Sequence, residues 1–247
     1  MGSAGSRTFA TGGRVLSQLR HDPRTIVLLL AVPCVLETLL RLIYDRHLLA
    51  FDRAGAPLLA IFPLTTVFLV TSVALLRERV SGTLERLLTT PLGRLELLLG
   101  YALAFGLLAV LQALVASAVT LGLLGLNVAG PPAMVVLLAV SVALLGMGLG
   151  LLASAFARSE FQVVQFMPAI ILPQLLLCGL LVPRQLMPAG LHALSDVLPL
   201  SYAVDGMHNL TLQSGAGGAL WGDVVIVLAF AFGALALGAV TLRRQTP

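Results

Sequence analysis

Six runs of about twenty consecutive, mostly apolar residues divide this 247-residue chain, and no soluble fold accommodates them. A hydrocarbon core ~30 Å thick is crossed by about 20 helical residues rising ~1.5 Å each. The runs are Thr25–Tyr44, Pro57–Leu76, Leu97–Leu121, Ala133–Ala155, Phe161–Val182 and Asp223–Leu242. They are too long for strands and lack two-residue alternation, which predicts an all-α membrane protein with six transmembrane helices. The scarcity of charge agrees: 11% of residues are charged, against roughly 25% in soluble domains. The first run contains Glu37 and Arg41 and has no small-residue cleavage pattern after it, so it reads as an anchor rather than a signal peptide.

Arginine placement gives the topology. Arg7, Arg14, Arg20, Arg24, Arg77, Arg79, Arg86, Arg94, Arg158, Arg243 and Arg244 flank the spans on one side, against Arg46, Arg53 and Arg184 on the other. The positive-inside rule then predicts both termini in the cytoplasm. All 15 basic residues are arginines. Without a lysine the chain can form neither a Walker A phosphate loop nor a Schiff base, so its energy must come from a partner, an ion gradient or the substrate. Cys34 and Cys178 lie in apolar runs and read as packing residues, and the sequence has no metal-ligand spacing.

Three segments outside the spans carry information. Residues 1–24 place Phe9, Val15, Leu16 and Leu19 among Arg14, Arg20 and Arg24, which suits an interfacial helix with its arginines toward lipid headgroups, or else a partly ordered tail. The remaining residues, 25–247, form the six-helix transmembrane domain. The loop at 77–94 repeats Leu84, Leu87 and Leu88 at helical spacing, with Glu85 and Arg86 facing elsewhere. Gly82 precedes this short amphipathic helix and Pro91 closes it, biasing Thr90 away from helix. Such a helix forms a charged knob for a partner's groove, unless the loop merely obeys topology. The outer segment 183–222 mixes prolines with Leu186, Leu191, Leu194 and Leu198, a pattern for short interfacial or re-entrant helices.

The run Glu78–Gly100, E-R-V-S-G-T-L-E-R-L-L-T-T-P-L-G-R-L-E-L-L-L-G, closely resembles the motif of type-2 ABC exporter permeases. His21-Asp22-Pro23-Arg24 before an apolar span with Pro33, and Leu198-Pro199-Leu200-Ser201-Tyr202 before the last span, are also similar to that family. Within it, the chain leans toward drug- and antibiotic-resistance exporters related to daunorubicin transport. The resemblance implies a permease dimer, homomeric or with a related chain, seated on separate ATPase subunits that hold the ATP and Mg²⁺. It also implies an ATPase-coupling element including Glu78, Arg79, Gly82, Thr83, Leu84, Glu85, Arg86 and Pro91, and an external gate including Pro199 and Tyr202. Where the family often has Lys after the motif's final Gly, this chain has Tyr101, a change expected to matter little at the start of a span.

Polar residues inside the spans complete the candidates for substrate path or gate. Glu37 and Arg41 are four apart and share a helix face, so Glu37 either faces a transport path for cationic substrates or pairs with Arg41. Gln112, Gln165 and Gln174 need partners in a low-dielectric interior, which makes them interhelical glue or substrate contacts. Pro168 and Pro173 loosen the fifth span, and Gly146, Gly150 and Ser154 present small-residue spacing on the fourth. The chain is thus expected to be the non-enzymatic permease subunit of an ATP-driven exporter in a bacterial inner membrane, moving an amphipathic drug-like or lipid-like molecule. The alternatives are an ion-coupled carrier and a non-transporting structural subunit.

Overall fold

The computed structural model describes residues 4–81, 93–213 and 217–241. All regular structure among them is helical. An N-terminal helix, α1 (Ala4–Arg20), precedes α2 (Pro23–Ile43), whose start is set by local chemistry. Asp22 is the N-cap, accepting from the Thr25 amide at 3.3 Å, and Pro23 sits at the first helical position, where its missing N–H costs nothing. Then follow α3 (Leu48–Val80), α4 (Arg94–Ser117) with a π-helical extension through Ala118–Leu123, α5 (Pro132–Phe156) and α6 (Glu160–Leu177). At the far end lie a 3₁₀ turn at Arg184–Leu186, α7 (Ala189–Ser195) and α8 (Pro199–Leu212), before α9 (Gly217–Thr241). Among the described residues, six helices are long and apolar enough to cross a membrane.

Two predicted bounds need correction. The second span begins at Leu48, nine residues before Pro57, and runs for 33 residues. Hydropathy stops at the charged pair Asp52-Arg53, but tertiary contacts carry the helix through it. The Asp52 carboxylate accepts from the Asn127 amide at 2.9 Å, and Phe51 is fully buried. The fifth span ends at Leu177 rather than Val182, because Gly179 adopts φ +93° and turns the chain back toward Arg184. The sixth span is described as far as Thr241, and Leu242 lies outside the described residues.

The core is built around α5, which packs against α3 on one face and α9 on another. A Cβ on Gly146 would sit 2.5 Å from the Leu64 carbonyl oxygen, and one on Gly148 would sit 2.7 Å from that of Ala231. Small residues let these backbones nearly touch, which matters in lipid because no hydrophobic force drives helices together there. The small-residue stripe therefore serves packing within one subunit. Against this, α2 and α6 bury only 17% of their apolar windows, while α5 buries 67%. Both of these exposed helices pack against α3 and form an open flank.

Candidate functional site

The end of α3 holds three consecutive charged residues, Arg77, Glu78 and Arg79, immediately before the loop that carries the amphipathic pattern. At ~100° per residue they fan out in different directions. Arg77 donates to Glu160 at the start of α6, at 2.7 Å. Glu78 accepts from Arg14 of α1 at 3.0 Å and from the Tyr101 hydroxyl of α4. Arg79 donates to the carbonyl oxygens of Ser154 and Ala157, where the last turn of α5 leaves acceptors unpaired. One helix end is thereby tied to α1, α4, α5 and α6.

The Glu78 group is the best-sheltered part of this hub. The Arg14 and Glu78 side chains keep 30% and 16% exposure, and Tyr101 keeps 1%. Arg14 also donates to the Tyr101 oxygen at 2.9 Å, closing a three-membered cluster. Burial works against the Arg14 charge, but the hydrogen bond and charge of Glu78 outweigh it and raise the guanidinium pKa above its usual value. The α1 helix is held in register by Gly100, where a Cβ would lie 2.6 Å from Thr11 Cβ. By contrast, the Arg77–Glu160 pair is more than half exposed and contributes little stability.

Of the coupling set, Glu78 and Arg79 are the two the structure brings into this hub. Gly82, Thr83, Leu84, Glu85, Arg86 and Pro91 lie outside the described residues. Arg20 and Arg24 are exposed, whereas Arg14 turns inward to Glu78 instead of outward to headgroups. Thr11, Val15 and Leu19 form the buried face of α1, with Phe9 71% exposed. Tyr101 requires a correction: far from mattering little, it supplies the hydroxyl that completes the cluster, because α1 and the end of α3 both converge on the first turns of α4. The only sequence signal was its place one residue after the motif's final Gly.

At the opposite end a second hub forms around Arg184, which sequence reasoning treated only as a topology marker. Its guanidinium donates to both Asp196 and Asp205 and lies 5.7 Å over the Tyr202 ring. The Tyr202 hydroxyl donates to the Asp196 carbonyl oxygen at 2.7 Å, and Ser195 and Ser201 oxygens are 3.1 Å apart. Pro199 is buried at the first position of α8, which packs against α3, α5 and α9. These contacts bind the 3₁₀ turn, α7 and α8 into one cap over the bundle.

The polar residues within the spans are dispersed. Gln112 donates to the Thr66 hydroxyl and joins α4 to α3, the interhelical bond expected of it. Gln174 is buried but donates to its own helix at the Ile170 carbonyl, 3.1 Å away, and Gln165 is exposed. Glu37 does not pair with Arg41. The arginine instead reaches the Leu124 carbonyl at 3.1 Å, Asp45 at 3.2 Å and the Phe51 ring at 5.7 Å. Glu37 is fully buried, on the packed rather than the exposed face of α2, and among the described residues neither carboxyl oxygen has a hydrogen-bond partner. Replacing it by leucine, similar in volume, should stabilise the folded chain by about 1–3 kcal/mol. A higher thermal unfolding midpoint in detergent is the expected result, and a lower one would show that the carboxyl holds a partner.

Residues 7–212 match the family model described as ABC-2 type transporter. The chain is 32% identical over 146 residues to "ABC transporter G family member 20" of Dictyostelium discoideum, covering 58% of this chain and 20% of that protein. It is 30% identical over 164 residues to "Probable multidrug ABC transporter permease YbhS" of Escherichia coli (strain K12), covering 66% and 44%. "Linearmycin resistance permease protein LnrN" of Bacillus subtilis (strain 168) is 28% identical over 169 residues, covering 68% and 44%. The matched stretches thus span less than half the length of each of these relatives.

Proposed function

The chain belongs to the ABC-2 type transporter family, and from that premise we propose that it is the membrane-spanning permease subunit of an ATP-driven exporter. A separate cassette subunit supplies the Walker A lysine that this chain lacks, and with it the site for ATP and Mg²⁺. The subunit lies in a bacterial inner membrane with both termini in the cytoplasm, as the arginine asymmetry favours. The observation that carries the reading is the hub at the end of α3. A force applied to the adjoining loop reaches α1, α4, α5 and α6 at once, since Arg77, Glu78 and Arg79 hold all four. The Arg184 hub closes the other end and serves as the external gate, opening when the spans rock.

The apolar flank of α2 and α6 faces a second permease copy or a related chain, and the seam between them forms the path. Its leucine- and valine-rich surface suits an amphipathic drug-like or lipid-like molecule better than an ion. The multidrug and antibiotic-resistance names of the relatives lean the same way. The test is purification of the chain from its native membrane together with the products of neighbouring reading frames. A co-purifying ATPase with a Walker A motif is expected, and Gly82→Pro should reduce export of an amphipathic dye about tenfold or more by fixing the backbone at the joint between α3 and the proposed coupling element. Recovery of the chain free of any ATPase, with export unchanged by Gly82→Pro, would overturn the assignment.

A further inference from the structure

Between α1, the start of α2, the last turns of α3 and the start of α4 lies a cleft of about 380 Å³. That volume is at the small end of ligand cavities, which run ~300–1,000 Å³. Its lining is graded along the axis of α3. Val70 and Val73 line the deep part with Phe105, and Val15 and Leu19 of α1 wall it on the side. Asp22 and Arg77 stand at its polar end and are both exposed. From Leu69 to Arg77 the cleft follows nine residues of α3, about 12 Å of helix, passing from membrane depth to the charged rim.

The rim carries one charge of each sign on different elements. Asp22 sits at the corner between α1 and α2, where the Thr25 hydroxyl and amide, helped by the charge of Arg77, hold its carboxyl below the usual carboxylate range. It is therefore ionised at neutral pH. Among the described residues the Arg77 side chain hydrogen-bonds only to Glu160, in an exposed pair from which it can turn at little cost, and its charge also acts on Asp22. Glu78 and Tyr101 also line the cleft, but they are occupied with each other and Arg14. An acid and a base above an apolar trough match an amphiphile whose headgroup carries both charges.

We infer that this cleft is a binding site for a zwitterionic, amine-bearing phospholipid of the leaflet on the α1 side. One acyl chain enters along Val70, Val73 and Phe105, the phosphate meets Arg77, and the ammonium meets Asp22. A bound lipid then wedges α1 against α3 beside the Glu78 hub, so occupancy sets the stiffness of the contact between the N-terminal helix and the bundle. The site rests on the membrane location of the chain alone and does not require an ATPase partner.

The experiment is native mass spectrometry of the full chain released from bilayers of equal parts phosphatidylethanolamine and phosphatidylglycerol. The wild-type chain should retain phosphatidylethanolamine over phosphatidylglycerol by about fivefold or more, the ratio a single favourable ionic contact supports. Asp22→Asn keeps the helix cap, since asparagine caps as well as aspartate, and should abolish that preference. Val73→Trp fills the trough and should remove the retained lipid. Should Val73→Trp fail to fold, Ala74→Leu, at the same wall, replaces it with the same expected loss. Equal retention of both lipids by the wild type, or retention undiminished by the filled trough, overturns the proposal. So does displacement of phosphatidylethanolamine by an equimolar single-chain alkylamine, which would make the cleft a station for export substrates.

Discussion

Gly150→Leu should abolish recovery of folded protein. A Cβ at this position would lie 2.1 Å from Thr71 Oγ1 and 2.6 Å from the Phe68 carbonyl oxygen. The second contact is with backbone, so no rotamer change relieves it, and α3 and α5 must separate. Overpacking usually costs about 1–3 kcal/mol, and a branched side chain against a fixed backbone lies at or above the top of that range. The measurement is the monodisperse fraction of detergent-extracted protein by size-exclusion chromatography. Gly150→Ala should remain destabilising even with Thr71→Ala beside it, because the Phe68 carbonyl is unmoved. Gly233→Ala on α9, where nothing lies within 4 Å, should be neutral or stabilising by up to about 1 kcal/mol. Normal recovery of Gly150→Leu would mean that α3 and α5 do not cross so closely.

The second large effect is expected at Glu78. Glu78→Ala leaves the Arg14 guanidinium and the buried Tyr101 hydroxyl without their shared acceptor. Removing one partner of a sheltered charged pair costs about 1–3 kcal/mol here, below the 3–5 of a fully buried pair, because Arg14 keeps some solvent contact. The chain should therefore still fold, while export falls about tenfold or more as α1 and α4 are released from the end of α3. Tyr101→Phe keeps the ion pair and deletes one hydrogen bond, so its loss should be smaller, about threefold to tenfold. The pair of variants distinguishes force transmission from mere folding. Export reduced in proportion to the amount of folded protein would count against the hub, whereas export lost from a normally folded Glu78→Ala chain would support it. The activity of the proposed ATPase partner, measured alongside, should persist, uncoupled from transport.

The spans themselves were legible because lipid imposes a simple rule. Every backbone polar group must be satisfied within the segment, so about twenty apolar residues can hardly be anything but a helix. Capping was equally local: Asp22-Pro23 begins α2 where its chemistry requires. The second span was read too short because hydropathy registers Asp52 and Arg53 as cost. It cannot register that the Asn127 amide, 75 residues away, accommodates the carboxylate. Glu37 and Arg41 show the opposite error, since i,i+4 spacing offers a pair that Arg41 declines for the Leu124 carbonyl across the bundle. The amphipathic pattern of α1 suggests a headgroup contact for Arg14, but amphipathicity does not say which neighbour a long side chain will find.

The six runs therefore determined by themselves that this is an all-α membrane protein; the arginine asymmetry favoured cytoplasmic termini, and the absent lysine left a partner, an ion gradient or the substrate as the source of energy. These are additive, one-dimensional properties of residues meeting either lipid or water. Only the tertiary structure decided that Arg77, Glu78 and Arg79 reach four different helices, that Tyr101 completes their cluster, and that Arg184 gathers two aspartates into a cap. Those partners lie 12 to 83 residues apart in the chain. They meet because small residues on α5, and Gly100 on α4, let the helices approach until charged side chains find the nearest group able to satisfy them.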